Sequence, residues 1–201
     1  MNYITADLHV HTVLSPCGDL LMTPKNIINQ ALKMDLDVIA ITDHNSAENV
    51  EIALKLAQST PLNIIPGMEV ETSEEVHLIC LFDSLEQILS WQNLVYDTLP
   101  DFKNDEDLFG PQLITNLKDD FVRKVDRLLA TATSLTVNQV VSEVADRGGI
   151  VIPSHINKPN YSLLSNLGFI PDDLDICGLE ISNKQDIKKI NNQFDIADKY
   201  N

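Results

Sequence analysis

A chain of 201 residues with 44% hydrophobic and 22% charged side chains has the balance of an ordinary globular protein with one sizeable core. Thirty acidic against fourteen basic side chains, a formal net charge of −16, oppose attraction to polyanions, so neither long nucleic acid nor a membrane is expected as a partner. No apolar run approaches the roughly 18 residues of a membrane span, the start MNYITADL lacks a leader pattern, and three widely spaced cysteines, Cys17, Cys80 and Cys177, fit a reducing compartment, so a cytoplasmic protein is expected.

The first predicted strand runs into DLHVHT, residues 7–12. Alternate residues of a strand share a face, so His9 and His11 project together with Cα atoms roughly 6.6 Å apart, and Asp7 shares that face. Such a pair can close on one metal ion with bonds of about 2.0–2.1 Å. After the loop VLSPCGDLLM, Thr23 and Pro24 predict an N-cap and a first-turn proline, and a helix follows on Ile27, Ile28, Ala31 and Leu32. The run DVIAITDH reads as a strand buried on both faces and ending at Asp43 and His44. A second helix, capped by Ser46, carries Val50, Ala53, Leu54 and Ala57. A third strand, Leu62 to Val70, ends in GMEVE. Strand and helix alternate, which predicts an α/β fold with parallel strands.

The next strand, Val76 to Phe82, begins with His77. Only a few residues separate it from Glu71, too few for a parallel crossover, so an antiparallel hairpin is predicted that sets His77 beside Glu69. Residues 84–147 contain no histidine and read as a helical insert built on Ile88, Leu89, Trp91 and Val95, then Phe121, Val125, Leu128 and Leu129, then Val137 to Ala145. Within it, 101–110 reads as a solvated loop rather than a lid. Gly148 and Gly149 stop the last of these helices, and IVIPSH brings His155 to the end of another strand. The loop after it places Asn157, Lys158, Asn160, Tyr161 and Ser162 within reach of His155. A strand ICGLEIS and a helix on Ile187, Ile190, Phe194 and Ala197 complete the chain.

All five histidines, His9, His11, His44, His77 and His155, thus fall beside strand ends or turns, where functional groups of such folds gather. Imidazoles mixed with carboxylates, without a thiolate cluster, suit zinc, iron or manganese and argue against calcium. Glu69 is the natural bridging carboxylate if two ions sit roughly 3.5–4 Å apart, with Glu71 as the alternative. Asp19 stands in a turn-like loop where aspartate is common for conformational reasons. Asp43 is either a ligand or the partner that orients His44. Cys80 and Cys177 read as buried thiols, and Cys17 as a group supporting the histidine motif.

The ordered motifs DLHVHT, AITDHN, GMEVET, EVHLICLF and IPSHIN resemble the polymerase and histidinol phosphatase (PHP) superfamily, and within it the stand-alone metal-dependent phosphoesterase type. The resemblance covers nearly all of residues 1–201 as one PHP-type domain, apart from the insert 84–147. It implies a distorted (β/α)7-type barrel holding two to three divalent ions (Zn, Mn or Fe). Carried over position by position, it implies metal ligation by His9, His11, Asp19, His44, Glu69, His77 and His155. The family's remaining two ligands, an Asp and a His one residue apart on a closing strand, have no counterpart before Asn201, so the barrel is expected to lack its seventh strand or to be truncated before it.

The function expected is a metal-dependent phosphoesterase that hydrolyses a small phosphorylated metabolite or short nucleotide through a metal-activated water at a multinuclear site. His155, Glu69 and Asp43 are the expected catalytic groups, and Lys158, Asn157 and Ser154 the expected phosphate-binding groups. The alternatives are an amidohydrolase-like C–N hydrolase, or a catalytically incomplete metal-binding regulatory module.

Overall fold

The apolar runs read as strands assemble into one curled, half-barrel sheet. In the computed structural model, which describes residues 3–194, the first half alternates β1 (Ala6–Val10), α1 (Pro24–Lys33), β2 (Val38–Ile41), α2 (Val50–Ala57), β3 (Asn63–Glu71) and β4 (His77–Leu81). There follow α3 (Leu85–Thr98), α4 (Glu106–Phe109), β5 (Leu113–Thr115), β6 (Phe121–Lys124), α5 (Val137–Asp146), β7 (Ile150–Pro153), α6 (Leu163–Asn166) and α7 (Ile187–Phe194). The sheet order is β1-β2-β3-β4-β7, and β5 with β6 makes a separate ribbon.

The pairing follows from connection length. β1 pairs parallel with β2, and β2 with β3, through helical crossovers. β3 and β4, joined by a short turn, pair antiparallel with Glu71 opposite His77, and β7 adds antiparallel to β4. Thr23 caps α1 by accepting from Asn26 N, as its sequence predicts. Gly148, at φ +74°, closes α5 in the left-handed region that a side chain disfavours.

Leu8, Ala40, Ile65, Ile79, Leu81 and Ile152, drawn from all five strands, pack together on one face. The larger cluster on the other face joins Ile39, Ile41, Met68 and Leu78 to the helices through Ile28, Val50, Ile88, Trp91, Val140 and Val144. Among the described residues no helix is long and apolar enough to cross a membrane.

Four expectations are corrected. The segment 121–129 is not helical but forms β6 and an extended stretch. Val125 and Leu129 do have helical spacing, but the buried Gln112 side chain donates to the Val125 and Arg127 carbonyls and accepts from Leu129 N, which holds the backbone extended. The stretch ICGLEIS is not a strand: Glu180 alone bridges to the sheet edge, donating to the Pro153 carbonyl and accepting from Ile156 N. α2 starts at Val50 rather than at Ser46, whose hydroxyl pairs instead with Tyr96. Cys177 is exposed, whereas Cys80 is buried as expected. Within 101–110 a turn of helix, α4, is tied down by the Glu106–Lys124 ion pair at 2.7 Å. Ala197 lies outside the described residues.

Candidate metal centre

The five histidines converge from five places in the fold on one carboxylate. Between Asp7 and Val10 the register of β1 against β2 slips by one residue, three steps on β1 matching two on β2. A bulge of this kind re-aims side chains, and here it falls between Asp7 and Val10, the stretch that carries His9. Beyond β2 the chain keeps pairing with β3: Glu69 N donates to the Asp43 carbonyl and Asn45 N to the Glu69 carbonyl, which sets His44 alongside Glu69. The hairpin brings His77, and the reversal after β7 brings His155, held at φ +31°. A side-chain-bearing residue persists in that conformation only where its surroundings enforce it, and the His155 N–H is anchored on Glu180 Oε2 at 3.0 Å.

Glu69 is 1% exposed, and its two oxygens face different sets of rings. Oε1 stands 3.2 Å from His9 Nε2, 3.2 Å from His77 Nδ1 and 3.4 Å from His155 Nε2. Oε2 stands 3.2 Å from both His11 Nε2 and His44 Nδ1. His9 Nε2 and His11 Nε2 lie 3.0 Å apart. Two donors on one tetrahedral ion with bonds of about 2.0–2.1 Å stand roughly 3.3 Å apart, so these separations are those of ligand atoms around shared ions. The buried atoms His44 Nδ1, His77 Nδ1, His155 Nδ1 and Glu69 Oε1 have no hydrogen-bond partner, and buried polar atoms are seldom left unsatisfied. The donor set therefore fits divalent cations.

Glu180 had no expected role, yet its Oε2 accepts from His9 Nδ1 at 2.9 Å. This contact fixes the ring so that Nε2 is turned to Glu69, the usual arrangement behind a ligating histidine. No periodicity marked it, because the partners are 171 residues apart. Cys17 Sγ lies 3.0 Å from His11 Nδ1. Glu71 Oε2 stands 3.7 Å from His77 Nε2, and Tyr161 stacks on His77 at 4.8 Å.

Other expected residues are not brought into the cluster. Asp19 caps its own turn by accepting from Leu21 N at 2.8 Å and lines a separate cavity of about 540 Å³ against α1. Asp43 is fully buried and neither reaches the cleft nor touches the His44 ring. It accepts from Thr12 N at 2.6 Å, the Thr12 hydroxyl at 2.7 Å and the Ser15 hydroxyl at 2.6 Å, while Ser15 Oγ accepts from His44 N. Burial holds the Asp43 carboxyl above its ordinary range despite these donors. Its three hydrogen bonds hold the loop after β1 in place. Asp43→Ala should orphan the three donors and cost about 3 kcal/mol, read as a lower denaturation midpoint with an unchanged slope.

Asn157 is occupied by Asp186 Oδ2 and Ser182 N, and Ser154 is wholly buried; neither lines the cleft. Lys158 does, in a cleft of about 690 Å³ together with the five histidines, Cys17, Glu69, Asn160, Tyr161 and Glu180.

Without cations, imidazolium is what balances Glu69. Burial lowers the affinity of His9 for a proton, but the hydrogen bond to Glu180 and the nearby Glu69 carboxylate outweigh it and raise the ring to about 9. His11 likewise rises to about 10 against its burial, through Cys17 and Glu69, and His77 to about 9 through Glu69 and Glu71. Glu69 is itself held well below the carboxylate range: its burial is outweighed by the rings. His44, buried and repelled by the charged rings, falls to about 3 despite Glu69.

Ligands must be deprotonated to bind, so filling the centre near pH 7 should release about two protons, one from His77 and one from the His9–His11 pair, whose facing Nε2 atoms share a single hydrogen. Calorimetry in buffers of different ionisation enthalpy reads this number, and a release near zero would contradict the assignment. Stability of the metal-free protein should move the other way. The raised histidines contribute fully below the ordinary value of about 6.5 and lose that contribution as pH rises through about 9 to 10, so the melting temperature should fall across that window. His44 opposes them only on the acid side, where its neutral form is lost between about 6.5 and 3.

The PHP domain model matches residues 7–140 of the chain. The 5'-3' exoribonuclease Rnm of Salmonella typhimurium is 35% identical over 86 residues, which span 40% of this chain and 28% of that protein. Among solved structures, endonuclease Q of Pyrococcus furiosus superimposes with a TM-score of 0.66 at 20% identity, over 89% of this chain and 42% of the enzyme. An inferred metal-dependent phosphoesterase of Bifidobacterium adolescentis superimposes with a TM-score of 0.61 at 19% identity, over 96% and 85% of the two chains. The chain thus spans less than half the length of Rnm and of endonuclease Q.

These findings correct the exclusion of nucleic acid drawn from the charge of −16. Endonuclease Q shares this fold and has been seen with a 27-mer duplex bearing an abasic lesion at its active site. The physical reason is range. Charges on the far surface are screened beyond about 10 Å at 0.1 M salt, whereas the local charge at a cleft decides what it holds.

Proposed function

Because this chain belongs to the PHP domain family, we propose that it is a metal-dependent phosphoesterase whose substrates are phosphate esters of nucleotides or oligonucleotides. One observation carries the reading: the two oxygens of buried Glu69 divide five imidazoles into a set of three and a set of two, as a carboxylate bridging two cations would. In this reading His9, His77 and His155 would hold one ion and His11 and His44 another, within a distorted (β/α)7-type barrel to which residues 1–201 belong as one unit. Zinc, manganese and iron suit the donors. Such ions lower the pKa of a bound water from 15.7 towards about 7 and hold phosphoryl oxygens.

The protein's own groups do the rest. Glu180 keeps His9 in the tautomer that presents Nε2, and Glu69 holds the rings at ligand spacing. Lys158, exposed at the rim of the cleft, receives the phosphate charge without being desolvated beforehand. Tyr161, 46% exposed and stacked on His77 through one face, offers its other face to a nucleobase, a contact worth about 1–3 kcal/mol.

Metal-stripped protein reloaded with Mn, Zn or Fe should hydrolyse members of a panel of nucleoside monophosphates, 5'-phosphorylated oligonucleotides and duplexes. Absence of metal-dependent hydrolysis throughout the panel would sink the proposal, and cleavage of amides alone would replace it with C–N hydrolysis.

A further inference from the structure

Glu71 follows Glu69 by two residues on β3, so its side chain leaves the same face of the strand, and the hairpin register sets it opposite His77. Its backbone is held from two sides: its N–H donates to Asn45 Oδ1, and its carbonyl accepts from Thr133 N and from the Thr133 hydroxyl. The side chain is buried, 7% exposed, and the described residues that line the cleft do not include it. A carboxylate set back in this way cannot serve substrate, and burying its charge is costly unless a partner is supplied. What it meets is a ring: Glu71 Oε2 stands 3.7 Å from His77 Nε2.

Two carboxylates thus take His77 by its two nitrogens. Nδ1 faces Glu69 Oε1 at 3.2 Å and is buried without a hydrogen-bond partner, while Nε2 faces Glu71. The ring face is covered by Tyr161 at 4.8 Å, and the backbone is fixed by bonds from His77 N to the Tyr161 carbonyl and from Ser154 N to the His77 carbonyl. A neutral imidazole carries one hydrogen, and the nitrogen that holds it cannot bind a metal. An acceptor at Nε2 therefore leaves Nδ1 free to bind. The separation of 3.7 Å is an ion-pair distance, longer than a hydrogen bond, and contacts of this kind often tighten only when a site takes its ligand.

Resting on the metal-centre reading above, we propose that Glu71 is a positioning residue for the centre: it accepts a hydrogen bond from His77 Nε2–H and so holds that ring in the tautomer and orientation that present Nδ1 to the ion beside Glu69 Oε1. Glu71 is then neither a ligand nor the bridge. Of two carboxylates two residues apart, the one facing the five rings bridges, and the one behind His77 makes that ring a stronger donor. Glu180 does the same for His9 from a distant part of the chain. Two of the three rings on the Oε1 side are thereby backed by a carboxylate, whereas His11, on the Oε2 side, is backed by Cys17.

The test is zinc binding by the full chain, measured in competition with a chelator. Glu71→Ala removes acceptor and charge; Glu71→Gln keeps an acceptor and the packing. Both variants should bind as many zinc ions at saturation as the wild type, with the affinity for one ion lowered by about 10–100-fold in Glu71→Ala and by less in Glu71→Gln. In zinc-loaded protein carrying 15N-labelled histidine, the His77 Nε2–H proton should resonate downfield, as a carboxylate acceptor requires, and move upfield in Glu71→Ala while the other ring N–H signals stay in place. A purely structural loss would lower the melting temperature without singling out that proton. Wild-type zinc affinity in both variants, or His77 bound to zinc through Nε2, overturns the assignment, and so does the loss of a whole ion at saturation, which would make Glu71 a ligand. All three outcomes leave the phosphoesterase reading standing. Zinc bound by neither wild type nor variant would overturn both.

Discussion

Glu69→Gln is expected to empty the centre. Losing a residue that merely orients a metal ligand costs about 10–100-fold in affinity, and Glu69 faces all five rings at 3.2–3.4 Å, so affinity should fall by more than about 100-fold and metal-dependent hydrolysis with it. The amide is nearly isosteric, so packing is kept and the effect is electrostatic. In the metal-free protein near pH 6, the same change leaves imidazolium groups without their buried counter-charge, a loss of about 3 kcal/mol for breaking a buried pair. Sign and window follow from the histidines: without Glu69 the rings of His9, His11 and His77 return towards or below 6.5, so the fall in melting temperature between about pH 6.5 and 10 should flatten. Metal analysis, hydrolysis assays and melts across pH read the three effects separately. Two ions retained at wild-type affinity would refute the bridging role.

Loading with metal is expected to stabilise the protein more than any single substitution. A ligand that binds the folded state alone contributes about 2.7 kcal/mol at 100 times its Kd. For a chain of this size each kcal/mol moves the melting temperature by about 2–4 °C, so each ion should raise it by about 5–10 °C at that concentration. EDTA should reverse the rise. Metal bound in full with an unmoved melting curve would mean that the site also exists in the unfolded chain, which five rings drawn from positions 9 to 155 do not permit.

The histidines and the elements that carry them were legible in the sequence because each depends on local signals. Apolar runs set β1, β2, β3 and β4, the short turn set the antiparallel hairpin, and each histidine stood at or near one end of a run. Glu180 was not legible, since nothing at residue 180 announces a partner at residue 9. Nor was it legible that Cys17 and not Asp19 would face His11: the two stand two residues apart, and their directions follow from the turn bonds of the loop, Ser15 N to the Thr12 carbonyl and Gly18 N to the Ser15 carbonyl, rather than from residue type. The spacing of Val125 and Leu129 imitated a helix because the burial it records is supplied by Gln112, a polar side chain doing the work of a strand partner. The net charge misled for a different reason, being a sum over the whole surface applied to a cleft.

Glu180 also bears on timing. It joins His9, near the start of the chain, to His155 N and, through one backbone hydrogen bond each, to Pro153 and Ile156. During synthesis, therefore, the first histidine waits unsupported until more than 170 residues have followed it, and ion capture becomes one of the last events of folding. In the finished protein the same segment carries no strand pairing beyond Glu180, so its local opening, and not global unfolding, should set how fast a bound ion escapes. Hydrogen exchange at Ile156 and Glu180 would then keep the same clock as metal release.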